Sequence, residues 1–131
     1  MEYSEIYNSA VQLLGEEQSL PNIADYERRA GYLLANFTMN TIPVDTLYRE
    51  SNSLSPSTSK TYTYVEFKQF FPLSTVFASA GIYYLAAMLV LEENKELSDR
   101  LYALYLREIE GIKQSLQASL IQTRDCYGLL T

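Results

Sequence analysis

Apolar residues recur at helical spacing in the first third of the chain, and helix-terminating residues bound each stretch. The first stretch covers about residues 4–14, with Ser4 as a candidate N-cap and Gly15 as a stop signal. The second covers about residues 22–39, and Pro43 then disfavours helical angles at the residue before it. The pattern therefore predicts two amphipathic helices before residue 43.

The second half of the chain carries an uncharged run followed by an amphipathic one. Residues 69–91 contain no charged side chain, and a soluble chain encloses such a run in its core. We therefore expect a central helix over about residues 74–93. Asn94 marks the turn into a last helix over about residues 95–121, whose apolar positions form a single stripe.

A transmembrane span is the main alternative for the uncharged run. Its dense part, residues 76–91, would be about 24 Å long as a helix, whereas a bilayer core needs about 30 Å. Tyr83 and Tyr84 lie at its midpoint, although membrane tyrosines favour the two interfaces. These arguments favour a buried core helix and no membrane association.

The segment 51–66 joins the two halves and has a different composition. Residues 51–59 are rich in serine and predict a loop, and residues 61–65 have the β propensity of a strand. A lone strand needs a partner, either residues 42–49 or a strand of another subunit. We expect one all-α domain over residues 1–131, a small bundle of four main helices around a central apolar helix, with a short irregular or β segment in the middle.

Charge and composition exclude several classes of function. Ten basic against sixteen acidic side chains give a net charge of -6, which disfavours binding to nucleic acid. Histidine is absent and Cys126 is the only cysteine, so the usual ligands of zinc, haem and iron–sulfur clusters are missing, and we expect no metal and no cofactor. The acidic start, residues 1–5, lacks the order of a signal peptide, so we expect a cytoplasmic location.

Catalytic constellations are also missing from the sequence. Glu16-Glu17 and Glu92-Glu93 are the closest carboxylate pairs, but both lie at predicted helix ends, where solvated charge is the simpler explanation. A serine or Cys126 nucleophile would have no histidine base. We therefore expect no enzyme and no catalytic residues. A carboxylate-based hydrolase stays as a third hypothesis, which would need a deep pocket with clustered Asp or Glu.

Twelve tyrosines are the unusual feature of the composition, and tyrosine is favoured where one end of a side chain is buried and the other is wet. Six lie on predicted helices at core spacing, and we assign them to the core: Tyr3, Tyr7, Tyr26, Tyr83, Tyr102 and Tyr105. Aromatic residues around an unpaired strand instead favour addition to a neighbouring molecule. The predicted interface residues are Tyr48, Tyr62, Tyr64 and Val65.

A succession of runs along the chain carries a family resemblance. These runs are residues 3–14, Asp25-Tyr26-Glu27-Arg28-Arg29-Ala30-Gly31-Tyr32-Leu33-Leu34, Phe71-Pro72-Leu73, Tyr84-Leu85-Ala86-Ala87-Met88-Leu89 and Glu92-Glu93-Asn94. Their order, over roughly residues 3–127, resembles the small helical head–tail connector (adaptor) proteins of tailed phages and prophages. The resemblance implies a ring subunit docked beneath the portal, with no catalytic residues to carry over.

Our leading hypothesis is therefore a non-enzymatic structural protein that binds copies of itself, a portal and a tail protein. It would be cytoplasmic in the host during assembly and then part of the virion. Contacts that close a ring need two different patches per subunit, and residues 45–66 and the last helix are the candidates. The alternative is a helical adaptor that binds another protein as a monomer or dimer.

Overall fold

The computed structural model describes residues 1–15, 23–56 and 60–126, and this part of the chain folds into four α-helices with no strand. A short 3₁₀ turn over Thr75–Phe77 precedes the third helix. The prediction of an all-α fold is confirmed at this level. The helices are α1 (Tyr3–Leu14), α2 (Ile23–Ser51), α3 (Ala78–Val90) and α4 (Lys95–Cys126).

Helix α3 contacts each of the other three helices, and most of its side chains are buried. Small residues allow this close approach. A Cβ atom added to Gly81 would lie 3.1 Å from the ring of Phe37 on α2, so glycine here lets α2 and α3 pack tightly. Ser98 on α4 is also buried, and its hydroxyl donates to the carbonyl of Ala87 at 2.8 Å.

Helix α1 begins at Tyr3, one residue before the predicted range of 4–14, and the predicted N-cap at Ser4 is wrong. Glu2 is the N-cap, and its N–H donates to the Glu5 carboxylate at 2.8 Å. Backbone pairing with the segment before α3 fixes this start, since the N–H of Phe71 donates to the carbonyl of Met1 at 2.8 Å. Gly15 ends the helix with a φ of 81°, as its position in the sequence predicts.

Helix α2 continues through Pro43 to Ser51, so the predicted end near residue 39 is wrong. Proline removes one backbone hydrogen bond and costs about 3 kcal/mol in a helix interior. Tertiary contacts beyond Pro43 offset this cost, because Asp45 is fully buried and Tyr48 packs edge-on against Phe77 at 5.9 Å. Residues 42–49 are therefore helical and are no strand partner.

The predicted strand over residues 61–65 is also wrong, because this segment is irregular and lies across α2. One backbone–backbone hydrogen bond connects them, from the N–H of Val65 to the carbonyl of Gly31 at 3.1 Å. The Tyr64 ring occupies the space where a Cβ of Gly31 would be. Within the described ranges the β-type pairing is a single isolated bridge between Glu2 and Phe70.

Helix α4 begins where the sequence predicts it. The Asn94 side chain accepts a hydrogen bond from the N–H of Leu97 at 3.1 Å, which is the geometry of an N-cap. The helix ends at Cys126, beyond the predicted residue 121. By residue type, Asn22 is a candidate N-cap of α2 and Tyr127-Gly128 a candidate turn after α4, and both lie outside the described residues. Over the described ranges, no helix has both the length and the apolar character that crossing a bilayer requires.

Candidate interaction surface

The tyrosines that the sequence assigns to the core occupy different depths. Tyr3, Tyr7 and Tyr26 are buried, which confirms their assignment. Tyr83 and Tyr105 are half-buried, and burial raises the pKa of Tyr105. Tyr102 on α4 is 38% exposed, so its assignment to the core is wrong.

The start of α2 is tied to the end of α3 by polar side chains. The Tyr26 hydroxyl donates to the Glu93 carboxylate, with oxygen–oxygen distances of 2.8 and 2.9 Å. Burial, and then this bond to Glu93, raise the pKa of Tyr26. The guanidinium of Arg29 donates to the carbonyl of Met88 at 2.9 Å, in the last turn of α3. These contacts fix the end of the molecule at which α3 turns into α4.

Tyr3 and Tyr7 are neighbours in the core but differ in hydrogen bonding. The hydroxyls of Tyr3 and Thr38 lie 2.7 Å apart, and Tyr3 donates because Thr38 donates its own proton to the Leu34 carbonyl. The Tyr7 hydroxyl is buried and has no hydrogen-bond partner among the described residues, while its ring stacks on Phe67 at 4.6 Å. Burial raises the pKa of each tyrosine to about 12.

Replacing Tyr7 with phenylalanine is expected to leave the free energy of unfolding unchanged or raise it by up to about 1 kcal/mol, because an unpaired buried hydroxyl is removed. Tyr3→Phe should lower the same quantity by about 1 kcal/mol, because the bond to Thr38 is lost. Urea denaturation followed by circular dichroism measures both. A larger loss for Tyr7→Phe than for Tyr3→Phe would contradict this explanation.

Alkaline pH gives a second test of the burial of Tyr3 and Tyr7. Their pKa is about 12 in the folded chain and about 10 when unfolded, so both are neutral in either state below pH 10. Between pH 10 and 12 the two tyrosines ionise in the unfolded chain but stay neutral in the folded chain, which favours unfolding. The free energy of unfolding therefore falls as the pH rises through this range. The Tyr7→Phe variant should therefore lose less stability than the parent protein across this range.

The four predicted interface residues do not form one exposed site. Tyr48 and Tyr62 are half-buried, and Val65 is fully buried in the core of its own chain. Tyr64 is exposed, with 47% of its surface accessible. Of the predicted set, Tyr64 is therefore the residue that offers a large apolar side chain to a partner.

Tyr64 belongs to a cluster that we call the aromatic patch, formed by Tyr32, Met39, Tyr62 and Tyr64. The rings of Tyr32 and Tyr64 meet edge-on at 4.9 Å, and Tyr32 is 62% exposed. Met39 contributes its sulfur, 3.3 Å from the backbone nitrogen of Tyr62. Tyr32 and Met39 lie seven residues apart on the same side of α2, outside the buried stripe. Their position outside the apolar stripe of α2 is the feature of the sequence from which these two residues could have been identified as exposed.

A second exposed apolar surface lies on α4, and we call it the α4 strip. It consists of Tyr102 and Leu106, one helical turn apart, which are 38% and 50% exposed. The Tyr102 ring lies 5.4 Å from the half-buried ring of Tyr105, which in turn lies 5.2 Å from Tyr84. The strip is thus anchored to the core through a chain of aromatic rings.

The buried carboxylate of Asp45 is the remaining candidate for chemistry, and its hydrogen bonds identify it as structural. One oxygen accepts from the N–H of Ser74 at 3.0 Å and from its hydroxyl at 2.7 Å. The other oxygen accepts from Nε of Arg49 at 2.8 Å. The Arg49 guanidinium continues to the carbonyls of Ser55 and Pro72, at 3.1 and 2.9 Å. This Asp45–Arg49 clasp connects α2 to Ser55 and to the segment Pro72–Ser74 before α3.

Within the described ranges, no three or more Asp, Glu, His or Cys side chains are grouped so that they could hold a metal ion. Comparison of the chain with protein-family models, with curated proteins and with solved structures finds no match. The functional argument therefore depends on the fold and on its exposed surfaces. The aromatic patch and the α4 strip are the candidate interaction surfaces.

Proposed function

We propose that the protein is a non-enzymatic structural subunit that assembles with copies of itself into a ring and docks to a portal and a tail protein. In this proposal it serves as a head–tail connector of a tailed phage or prophage, first in the host cytoplasm and then in the virion. The observation that supports it best is the presence of two different exposed apolar surfaces on separate elements, the aromatic patch and the α4 strip.

A ring built from identical subunits requires this kind of asymmetry. Each heterologous contact joins one surface of a subunit to a different surface of the next, so a subunit needs two. Tyrosine, methionine and leucine in exposed positions supply contact area that is gained only on assembly. In this proposal α3 is the central helix. It packs against α2, which carries part of the aromatic patch, and against α4, which carries the α4 strip.

The charge of the chain agrees with a position around passing DNA. The net charge is -6, and an acidic surface does not bind phosphates strongly. The same charge favours solubility of the free subunit before assembly. No sequence-specific contact with nucleic acid is part of the proposal.

Native mass spectrometry of the purified protein, alone at high concentration and with a portal ring, tests the proposal. We expect closed oligomers or a complex with the portal. The double variant Tyr32→Ser/Tyr64→Ser should reduce assembly, because it removes the aromatic centre of the patch. Leu54→Ser is the matched control, since Leu54 is 49% exposed but belongs to neither surface. A monomer under both conditions would contradict the proposal.

The alternative is a helical adaptor that binds another protein as a monomer or dimer, and the compact contact between Tyr32 and Tyr64 favours it. An adaptor of this kind uses one surface. Variants of the aromatic patch would then abolish partner binding, while Tyr102→Ser/Leu106→Ser in the α4 strip would leave it intact. A ring subunit should instead lose assembly with either pair. Neighbouring genes for a portal and a capsid protein would favour the ring.

A further inference from the structure

A groove of about 360 Å³ lies between the last turn of α2, the residues before α3 and the second half of α4. It is neither the aromatic patch nor the α4 strip. Its lining combines an apolar wall with polar groups that face the same space. The apolar wall is Val76, Ile112 and Leu116, and the polar groups are Ser51, Arg107 and Glu108.

Two of the polar groups lack partners. The Ser51 hydroxyl is buried from solvent and makes no hydrogen bond among the described residues. Arg107 is exposed, and no hydrogen bond or ion pair engages its guanidinium within the described ranges. Of the two, the exposed guanidinium is accessible from the groove, and a guanidinium beside an apolar wall suits a carboxylate that is attached to an aliphatic group.

Gly111 lines the groove. A Cβ atom added there would meet no other atom within 4 Å, so its direction is empty space. Helix interiors disfavour glycine relative to alanine, and no close neighbour requires it at this position. A larger side chain at Gly111 would therefore enter open space beside the groove.

The turn after α3 carries the complementary pair of groups. Leu91 is 43% exposed, and the neighbouring Glu92 is exposed with no ion pair among the described residues. Glu93 differs, because Tyr26 binds its carboxylate. Leu91 directly follows the end of α3, whereas Val76 of the groove lies two residues before its start. The turn and the groove therefore lie at opposite ends of a helix of 13 residues, which is about 20 Å long.

We propose that the turn Leu91–Glu92 of one copy occupies the groove of the next copy. The Glu92 carboxylate binds the Arg107 guanidinium, and Leu91 packs on the apolar wall. The contact is head-to-tail, so each copy offers its turn to one neighbour and its groove to another. This inference rests on the proposed ring function and specifies one of its subunit contacts.

Glu108 is a residue of the groove whose substitution should strengthen self-association. Its carboxylate lines the groove and would face the incoming Glu92 of the neighbour. Like charges that meet in an interface weaken association. Glu108→Gln should therefore strengthen self-association, whereas a merely structural groove gives no reason for such a gain.

Sedimentation velocity at low and moderate salt tests the contact by exchange of charges. Arg107→Glu and Glu92→Arg should each weaken self-association at least about tenfold, and salt should weaken the parent contact. A mixture of the two variants should restore association, because each supplies the charge that the other lacks. Arg100→Glu is the matched control, since Arg100 is exposed on the same helix and does not line the groove.

Gly111→Leu tests the groove without changing charge. The side chain enters open space, so the monomer should fold and keep its helical circular dichroism while association is lost. If the parent protein self-associates and the charge variants leave it unchanged, the contact is wrong while the ring proposal stands. Failure of the mixed variants to recover association also overturns the contact. A parent protein that stays monomeric, with and without a portal ring, overturns both.

Discussion

Replacing Asp45 with alanine is expected to lower the free energy of unfolding by about 3–5 kcal/mol. The carboxylate is fully buried and accepts three hydrogen bonds, two from Ser74 and one from Arg49. Its removal leaves the N–H and hydroxyl of Ser74 without their acceptor and takes the charge partner from Arg49. Thermal and urea unfolding measure the loss, and the 3₁₀ turn after Ser74 should lose protection in hydrogen exchange first.

The Asp25→Ala variant is the control, because the Asp25 side chain is 40% exposed and also pairs with two arginines on the same helix. Hydrogen bonds from Arg28 and then Arg29 hold the pKa of the Asp25 carboxyl below its usual range. Water can replace both partners there, so the change in stability should be much smaller than for Asp45. Asp45→Asn should be intermediate, since its amide can still accept from Ser74 but presents a donor to Arg49. Equal losses for Asp25→Ala and Asp45→Ala would contradict the role of burial.

Helix positions were largely predictable from local patterns. The period of apolar residues, with Gly15 and Asn94 as boundary residues, gives α1 and the start of α4 to within one residue. These signals work because caps and stops depend on residues a few positions apart. The prediction of Ser4 as the N-cap is wrong because of a contact between residues that are far apart in the sequence. Pairing of the first residues with Phe71, seventy positions away from Met1, moves the helix start to Tyr3.

Pro43 and residues 61–65 show where local propensity loses to tertiary structure. Pro43 predicts a helix end, but the Asp45–Arg49 clasp and the packing of Tyr48 hold the helix beyond it. Residues 61–65 have strand propensity, but α2 offers them a helix surface and one carbonyl, that of Gly31. The Asp45–Arg49 pair was visible as an i,i+4 spacing. The burial of this pair was not visible in the sequence, because Ser74, which binds Asp45, lies 29 residues further along the chain.

The candidate interaction surfaces were only partly visible in the sequence. Tyr64 was predicted and is exposed, while Val65 was predicted and is fully buried. Alternation along a strand would have placed these two on opposite faces, but the strand does not form. Tyr32 was missed because it lies within a run that otherwise matches the core period. The groove beside Arg107 brings together residues of α2 and α4, and their proximity follows from helix packing, which no local pattern encodes.

Replacing Phe37 with alanine is expected to lower the free energy of unfolding by about 3–5 kcal/mol. Its ring is fully buried, and it joins the aromatic rings of Tyr84 at 5.7 Å and Tyr105 at 6.1 Å on two other helices. Truncation leaves a cavity that these rings cannot fill, because α3 and α4 hold them. Urea denaturation measures the loss, with Tyr32→Ala as the control, an exposed aromatic on the same helix whose removal should change stability by less than about 1 kcal/mol.

Gly81 supplies the decisive test of this packing. In the parent protein, Gly81→Leu should destabilise by about 1–3 kcal/mol, because a Cβ there already lies 3.1 Å from the Phe37 ring. In the Phe37→Ala background the same leucine enters the vacated space and should restore part of the lost stability. The double-mutant cycle should therefore show a coupling of at least about 1 kcal/mol. Additive effects of the two substitutions would mean that Gly81 and Phe37 do not share the contact by which α3 packs on α2.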